Sequence, residues 1–529
     1  MIHRSTMRIL TTVILGLALC AGGGASFASD RNTSYDIVIL NGRVMDPETK
    51  LDAIRNVGVK NGKIAVITEK ALSGKETIDA TGHIVAPGFI DIHSHTSNIP
   101  LGQKLHLRDG VTTPLDMESG AYPVDLWYEL LEGKSQTNYG ATVSAAGIRE
   151  QLSNPDYKTS TGSILLDAFD PHTDSMFDMS VSSFLPSKEQ IDAMEDMIEE
   201  GISQGGLGIG IPVGYMTRGT TSEETIMWQR VVAKHNLTTV LHGRFSSQQP
   251  PATGILGTQE MLANLAVYGG GLYVSHIHQQ ALGLTSSAID FLADAKERGL
   301  NTVAAIYPYY QGATIAGADY LEPENYQRNM GRTYKDIIEV ATMKPLTEER
   351  YNELIKEQPG ASVIFAGVDE AIMLAALADP GTLVESDAAP LNVTETGDLA
   401  IDWDIPFESI QGHPRAAGTH AKVLRLVREK GLMPMMLAVS KMTYMPASFL
   451  ENSGVSMMSQ KGRIQVGSDA DITIFDPETV TDNATMAKGG LASTGIPFVI
   501  VNGTVVVRDS KVLKGVYPGQ AIRSDGSSR

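Results

Sequence analysis

Four histidines and three carboxylates close short apolar runs in this 529-residue sequence. "PGFIDIHSHT" ends with His93 and His95, two positions apart and therefore on one face of an extended strand. Two imidazoles so placed form a natural ligand pair for one metal ion. "TTVLHGR" ends with His242 and "LYVSHIHQQ" with His276. Histidines that end several separate strands are poorly explained as unrelated core residues. "GVTTPLDMESG" runs apolar into Asp116 and Glu118, again two apart. Unpaired charge is costly to bury there, so something must compensate the two carboxylates. In "GTLVESDAAPLN", Asp387 alone would read as a cap or turn former. Beside four histidines it reads as the general acid/base for a metal-bound water.

These residues need a scaffold that gathers strand ends. From about residue 86 to 455, apolar runs such as "GFIDIH", "GLGIGIPV" and "NTVAAIYPY" alternate with helix-like stretches such as "SKEQIDAMEDMIEEGISQ". More than five such units predict α/β architecture in the form of a closed (β/α)8 barrel, whose chemistry sits at the C-terminal ends of the strands. Residues 34–85 alternate apolar and polar side chains, with Asn-Gly at 41–42 and 61–62 reading as tight turns. The same texture returns over 456–525, predicting a small discontinuous β-sandwich built from both ends of the chain. No internal repeat or low-complexity segment is apparent.

A formal charge of −19 argues against nucleic acid or an anionic membrane surface as partner. Residues 1–28 carry Arg4 and Arg8, an apolar run from Ile9, and small residues up to Ala28. This is the pattern of a signal peptide, predicting export to the periplasm or medium, with no membrane span left after cleavage. Cys20, the single cysteine, lies within that leader behind a Leu19 that poorly fits a lipoprotein box. The mature chain would have neither disulfides nor thiolate chemistry.

"VAPGFIDIHSHT" resembles the first-strand HxH signature of the amidohydrolase superfamily. Within it, "YDIVILNGRVMDP", "GLGIGIPVGY", "HPRAAGTHAKVL" and "GSDADITIFDPETVTDNAT" are similar to the D-aminoacylase (N-acyl-D-amino-acid deacylase) family. "NYGATVSAAG" resembles its N-acyl-D-glutamate deacylase branch. The resemblance implies that His242 and His276 close the fifth and sixth strands and that Asp387 follows the eighth. Commoner members carry a cysteine ligand in a GNCG turn after "GVTT", where this chain reads Met117-Glu118-Ser119-Gly120. Ser119 falls on the cysteine column, but Glu118 is the better ligand.

On this reading His93 and His95 hold one ion and His242 and His276 a second, with Glu118 bridging them or completing either site. Asp116 is the other carboxylate that could replace the cysteine, or it orients a ligand or donor nearby. These donors suit one or two Zn2+ ions, and Mn2+, Co2+ or Fe2+ fit as well. The substrate carboxylate needs a cationic or hydrogen-bonding partner, and His278, Tyr307, Tyr309, Arg244 and Arg415 are the candidates. His278 stands where the family usually has a lysine. His106, His172, His235 and His420 read as surface or capping residues. The activity implied is hydrolysis of an N-acyl-D-amino acid. The alternatives are a dipeptidase, cyclic-amidase or lactonase on the same site, or an inactive exported binding protein.

Overall fold

The computed structural model describes residues 34–169 and 180–527, so the leader and His172 lie outside it. Five N-terminal strands, Tyr35–Asp46, Leu51–Lys60, Lys63–Thr68, Gly74–Asp79 and Ile84–Pro87, join four from the other end, Ile472–Phe475, Phe498–Val501, Thr504–Arg508 and Lys511–Val512. The two groups meet where Ile472–Phe475 pairs antiparallel with Ile84–Pro87, giving one nine-stranded sheet. Alternating side chains such as Ile37, Ile39, Val57, Ile78, Ile472 and Ile500 bury a shared apolar core. Asn61-Gly62 makes the expected turn between paired Lys60 and Lys63. Asn41-Gly42 does not. It is a bulge inside the first strand, which pairs with Gly74–Asp79 before the bulge and with Ile84–Pro87 after it. A Cβ on Gly42 would lie 2.4 Å from Val85 Cγ2, so glycine is what lets the second partner approach.

The middle of the chain forms the barrel. Its strands are Phe89–Asp91, Val111–Pro114 continued by Asp116–Ala121, Ala141–Ser144, Gly208–Ile211, Thr238–Leu241, Gly271–Val274, Asn301–Ile306 and Thr382–Val384, following one another in parallel. The last meets the first through Asp387 N–H to His93 O (2.8 Å) and His95 N–H to Ala388 O (2.9 Å). Ile90, Leu115, Val240, Tyr273, Val303 and Leu383, drawn from around the barrel, pack into one apolar cluster. No helix among the described residues is long and apolar enough to cross a membrane.

Two departures from the expected boundaries matter. Between the seventh and eighth strands lies a second, antiparallel sheet of Gln311–Ile315, Ile337–Glu339, Lys344–Pro345 and Ser362–Ala366, with helices Pro323–Met330 and Glu348–Glu357 and its own apolar core. The chain also leaves the β domain before 525: Ile522 donates its N–H to Tyr139 O (2.7 Å) and accepts from the Tyr128 hydroxyl (2.7 Å), so the tail returns to the barrel.

Candidate metal centre

The barrel brings the expected donors together at the C-terminal ends of its strands. His93, His95, Glu118 and Asp387 offer ligand atoms within 4.8 Å of one another, and Glu118, His242 and His276 form a second such group. Glu118 belongs to both. Its Oε2 lies 2.9 Å from His93 Nε2 and 3.3 Å from His95 Nε2, while its Oε1 lies 2.9 Å from His242 Nδ1 and 3.3 Å from His276 Nε2. Each carboxylate oxygen thus faces one histidine pair. Asp116, two residues earlier, places Oδ1 3.3 Å from His95 Nδ1 on the far side of that ring, where it can orient the imidazole.

Local backbone sets these directions. His276 sits at φ +27° and Asp387 at φ +49°, so both strands end in a left-handed residue that turns a side chain across the barrel mouth. Asp91 is fully buried below them and accepts the backbone N–H groups of His93 (3.2 Å) and Ser386 (3.1 Å), tying the first strand to the eighth.

The electrostatics are those of a cation site. Burial works against a charged His93, yet Glu118, Asp387 and Glu385 together hold its pKa well above the ordinary value. His95 is pushed up to about 10: burial opposes the charge, but hydrogen bonds to Asp116, Asp387 and Glu118 outweigh it. Burial acts to raise Glu118 and Asp387, but the first is held far below the ordinary carboxylate range by the His93 charge and histidine hydrogen bonds. Asp387 is held low chiefly by Arg415, whose Nη1 is 2.8 Å from Asp387 Oδ2. Buried carboxylates here draw protons onto His93 and His95, whereas burial holds the His242 pKa below the ordinary value. A divalent ion would replace those protons, and the converging nitrogen and oxygen donors fit one chemically.

A cleft opens over the first donor group, lined by His95, Glu118, Ser119, Asp387 and Arg415 below and by Ala146, Ile164, Leu165, Pro212, Ile315 and Ala389 as an apolar wall. A second lobe lies over His242 and His276, walled by Tyr215, Tyr307, Tyr320 and Phe365 with Ser246, Gln279 and Gln280. Tyr215, Ala313, Asp387 and Arg415 line both. Ala313 comes from the inserted sheet, so that element forms part of the cleft.

The substrate candidates divide. Arg415 and Tyr307 face the cleft, with the guanidinium 4.9 Å from the ring centre. Arg244 does not line it: its guanidinium is held by Glu260 and Thr220 O, a fold-supporting role. His278 lies behind Tyr307 at 4.5 Å between ring centres, its Nε2 bonded to Tyr309 O (3.1 Å). Burial pushes the His278 pKa down to about 3, so it is a neutral packing group. Tyr309 lies under the Lys422 ammonium, 3.5 Å from its ring centre, and lines neither lobe.

His106 and His420 are not surface residues. His106 is buried against Ser94 Oγ (2.7 Å) and Thr96 Oγ1 (3.1 Å), and His420 against Asp109 (3.0 Å). Neither closes a strand; both sit on helices, whose buried faces a search of strand ends passes over. His235 does end a helix, paired with Glu199 at 2.6 Å. Sequence reasoning missed Glu385, although it stands two residues before Asp387 on the same apolar run, the spacing used for the other pairs. Tyr215 and Tyr320 carried no such signal.

A closed barrel carries, at its strand ends, a carboxylate shared between two histidine pairs and an aspartate after the eighth strand. The chain is similar to D-aminoacylases along nearly its whole length. D-aminoacylase of Alcaligenes xylosoxydans xylosoxydans is 26% identical over 531 residues, spanning 92% of this chain and 97% of that one. N-acyl-D-glutamate deacylase of the same organism is 26% identical over 528 residues, spanning 93% and 97%. The crystal structure of N-acyl-D-glutamate deacylase from Bordetella bronchiseptica, complexed with zinc and a phosphonate inhibitor, matches with TM-score 0.73 and 24% identity over 93% of this chain and 100% of that one. No family model matches the sequence.

Proposed function

We propose that the protein is a metal-dependent hydrolase of N-acyl-D-amino acids, releasing a carboxylate and the free D-amino acid. One observation carries the reading: Glu118 turns one oxygen to each histidine pair on the floor of a cleft that also presents a buried guanidinium, Arg415. His93, His95 and Glu118 would hold one ion and His242, His276 and Glu118 a second, with zinc favoured by the donors and by the zinc-bound neighbour. A bound divalent ion supplies Lewis acidity and a water acidified to a pKa of about 7.

The chain's own groups do the rest. Arg415 keeps Asp387 ionised at Oδ1 and Oδ2, ready to take a proton as water attacks the amide carbonyl. Because its conjugate acid is strong, Asp387 then returns the proton to the leaving nitrogen. Arg415 gives Nη1 to Asp387 and Nη2 to Ala313 O (3.1 Å) but keeps Nε without a hydrogen-bond partner, and unlike Arg244 it lines the cleft, so with Tyr307 it offers the cation that a substrate carboxylate needs. It is the only lysine or arginine lining either lobe among the described residues. One carboxylate is therefore matched, and the apolar walls favour apolar acyl and side-chain groups over a second acid.

The test is hydrolysis by zinc-loaded protein of N-acetyl-D-leucine, N-acetyl-D-glutamate, their L-isomers, a dipeptide, a hydantoin and a lactone, with chiral detection of the amino acid. Release of D-leucine is expected to be fastest. Turnover confined to the L-isomers, the dipeptide, the hydantoin or the lactone overturns the assignment, and no turnover with tight acyl-amino-acid binding favours a binding protein. The leader supports export. Mass spectrometry of the exported chain should find it beginning at Ser29, and an intact amino terminus would refute this.

A further inference from the structure

We propose that Glu385 is a positioning residue that couples the two histidine groups of the metal centre, an inference that rests on the metal reading above. Its side chain is fully buried, and its three partners are all donors. Glu385 Oε2 lies 3.0 Å from His93 Nδ1 and accepts from the Tyr273 hydroxyl at 2.8 Å. Its other oxygen, Oε1, accepts the backbone N–H of His276. One carboxylate thereby grips a histidine from each group, 292 positions away in one case and 109 in the other.

Each grip has a distinct consequence. With Nδ1–H given to Glu385, the His93 lone pair is on Nε2, the atom that faces Glu118 and Asp387. The backbone bond holds His276 in its left-handed conformation, which costs energy in a residue with a Cβ and carries its Nε2 toward Glu118 Oε1. Tyr273, on the sixth barrel strand, makes neither grip itself; its buried hydroxyl fixes the orientation of the carboxylate from the barrel interior.

Only an acceptor on both oxygens satisfies this set. In Glu385→Gln, an amide whose oxygen faces the His276 N–H turns its NH2 toward His93 Nδ1 and forces the ring proton onto Nε2. The flipped amide satisfies His93 and Tyr273 but sets N–H against N–H at His276. Either orientation damages one of the two groups.

The experiment is Zn2+ titration of chelator-stripped full-length protein against a chromogenic competitor, together with the visible absorption of the Co2+-substituted form, for wild type, E385Q, E385D and Y273F. We expect E385Q to bind Zn2+ about 10- to 100-fold more weakly, with an altered Co2+ spectrum and an unchanged circular dichroism spectrum. E385D, which keeps two acceptors, should recover part of the loss. Should E385Q fail to fold, Y273F carries the test, with a smaller loss in the same direction expected. Wild-type affinity in a folded E385Q, or in Y273F where E385Q does not fold, overturns the role of Glu385 while leaving the metal centre standing. A wild-type protein that takes up no Zn2+ overturns both.

Discussion

Glu118 is the residue on which both ligand groups depend, because no other carboxylate touches all four histidines among the described residues. Replacing it with alanine removes a donor from each group at once. Glu118→Ala should lose bound zinc at both groups by elemental analysis, with kcat/KM lowered by more than about 100-fold, a larger effect than loss of an outer hydrogen-bond partner. Full metal content in that variant would defeat the shared role. A second consequence concerns pH. Burial, aided by the nearby His420 charge, pushes the His106 pKa down to about 3, and burial does the same to His278. In the unfolded chain both return to about 6.5. Between those values the unfolded state binds more protons than the native one, so the contribution of these two groups is full above about pH 6.5 and falls as pH drops toward about 3, by up to about 1.4 kcal/mol per pH unit for each group. The melting temperature of the protein should fall over that range, and that of His278→Gln should fall less steeply. Parallel profiles would exclude His278 as a contributor.

At the scale of elements, the inserted sheet is what turns an open barrel mouth into a cleft. Its strand Gln311–Ile315 pairs antiparallel with Ser362–Ala366, and Gly312 makes that possible, since a Cβ there would lie 2.3 Å from Phe365 Cζ. The next residue, Ala313, faces both lobes. Ala313→Trp should therefore fill the space where substrate lies, raising KM at least about 10-fold as expected for lost uniform binding, while zinc content stays at the wild-type level. Unchanged KM would place the substrate elsewhere. The helix Arg415–Lys430 explains why "HPRAAGT" is a motif at all. Its first residue delivers Arg415 to Asp387, and Gly418, at φ −149°, breaks the helix so that Asp109 can accept the N–H groups of His420 (2.7 Å) and Ala421 (3.0 Å).

For the molecule as a whole, the "GSDAD" motif joins the two parts. Lys461 is buried and reaches Asp471 at 2.7 Å and Asp469 at 3.0 Å. Asp471 also accepts from Asn138 beside the third barrel strand (2.9 Å) and from the Asn502 N–H of the β domain (2.7 Å). Lys461→Met leaves Asp471 buried without its cation, while the partly exposed Asp469 keeps Lys63 at 2.6 Å, and urea unfolding should show a loss of about 3–5 kcal/mol. A loss below about 1 kcal/mol would mean that this buried pair adds no more than an exposed one.

The donor residues were legible in the sequence because their signal is local. A histidine or carboxylate closing an apolar run, with a like residue two positions away, is placed on one face by strand geometry alone, and alternating strands and helices imply a parallel sheet, with their number favouring a closed barrel over an open one. Convergence is not local. That Glu118 divides its oxygens between two histidine pairs and that Glu385 grips both groups were decided by barrel closure, and that Arg244 is taken by Glu260 while Arg415 is delivered to Asp387 by the packing of helices after their strands. The same holds for Asn41-Gly42, which local chemistry makes a turn and a crowding Val85 makes a bulge. Sequence sets which groups a strand end offers; burial and competition among distant partners determine which of them remain free to act.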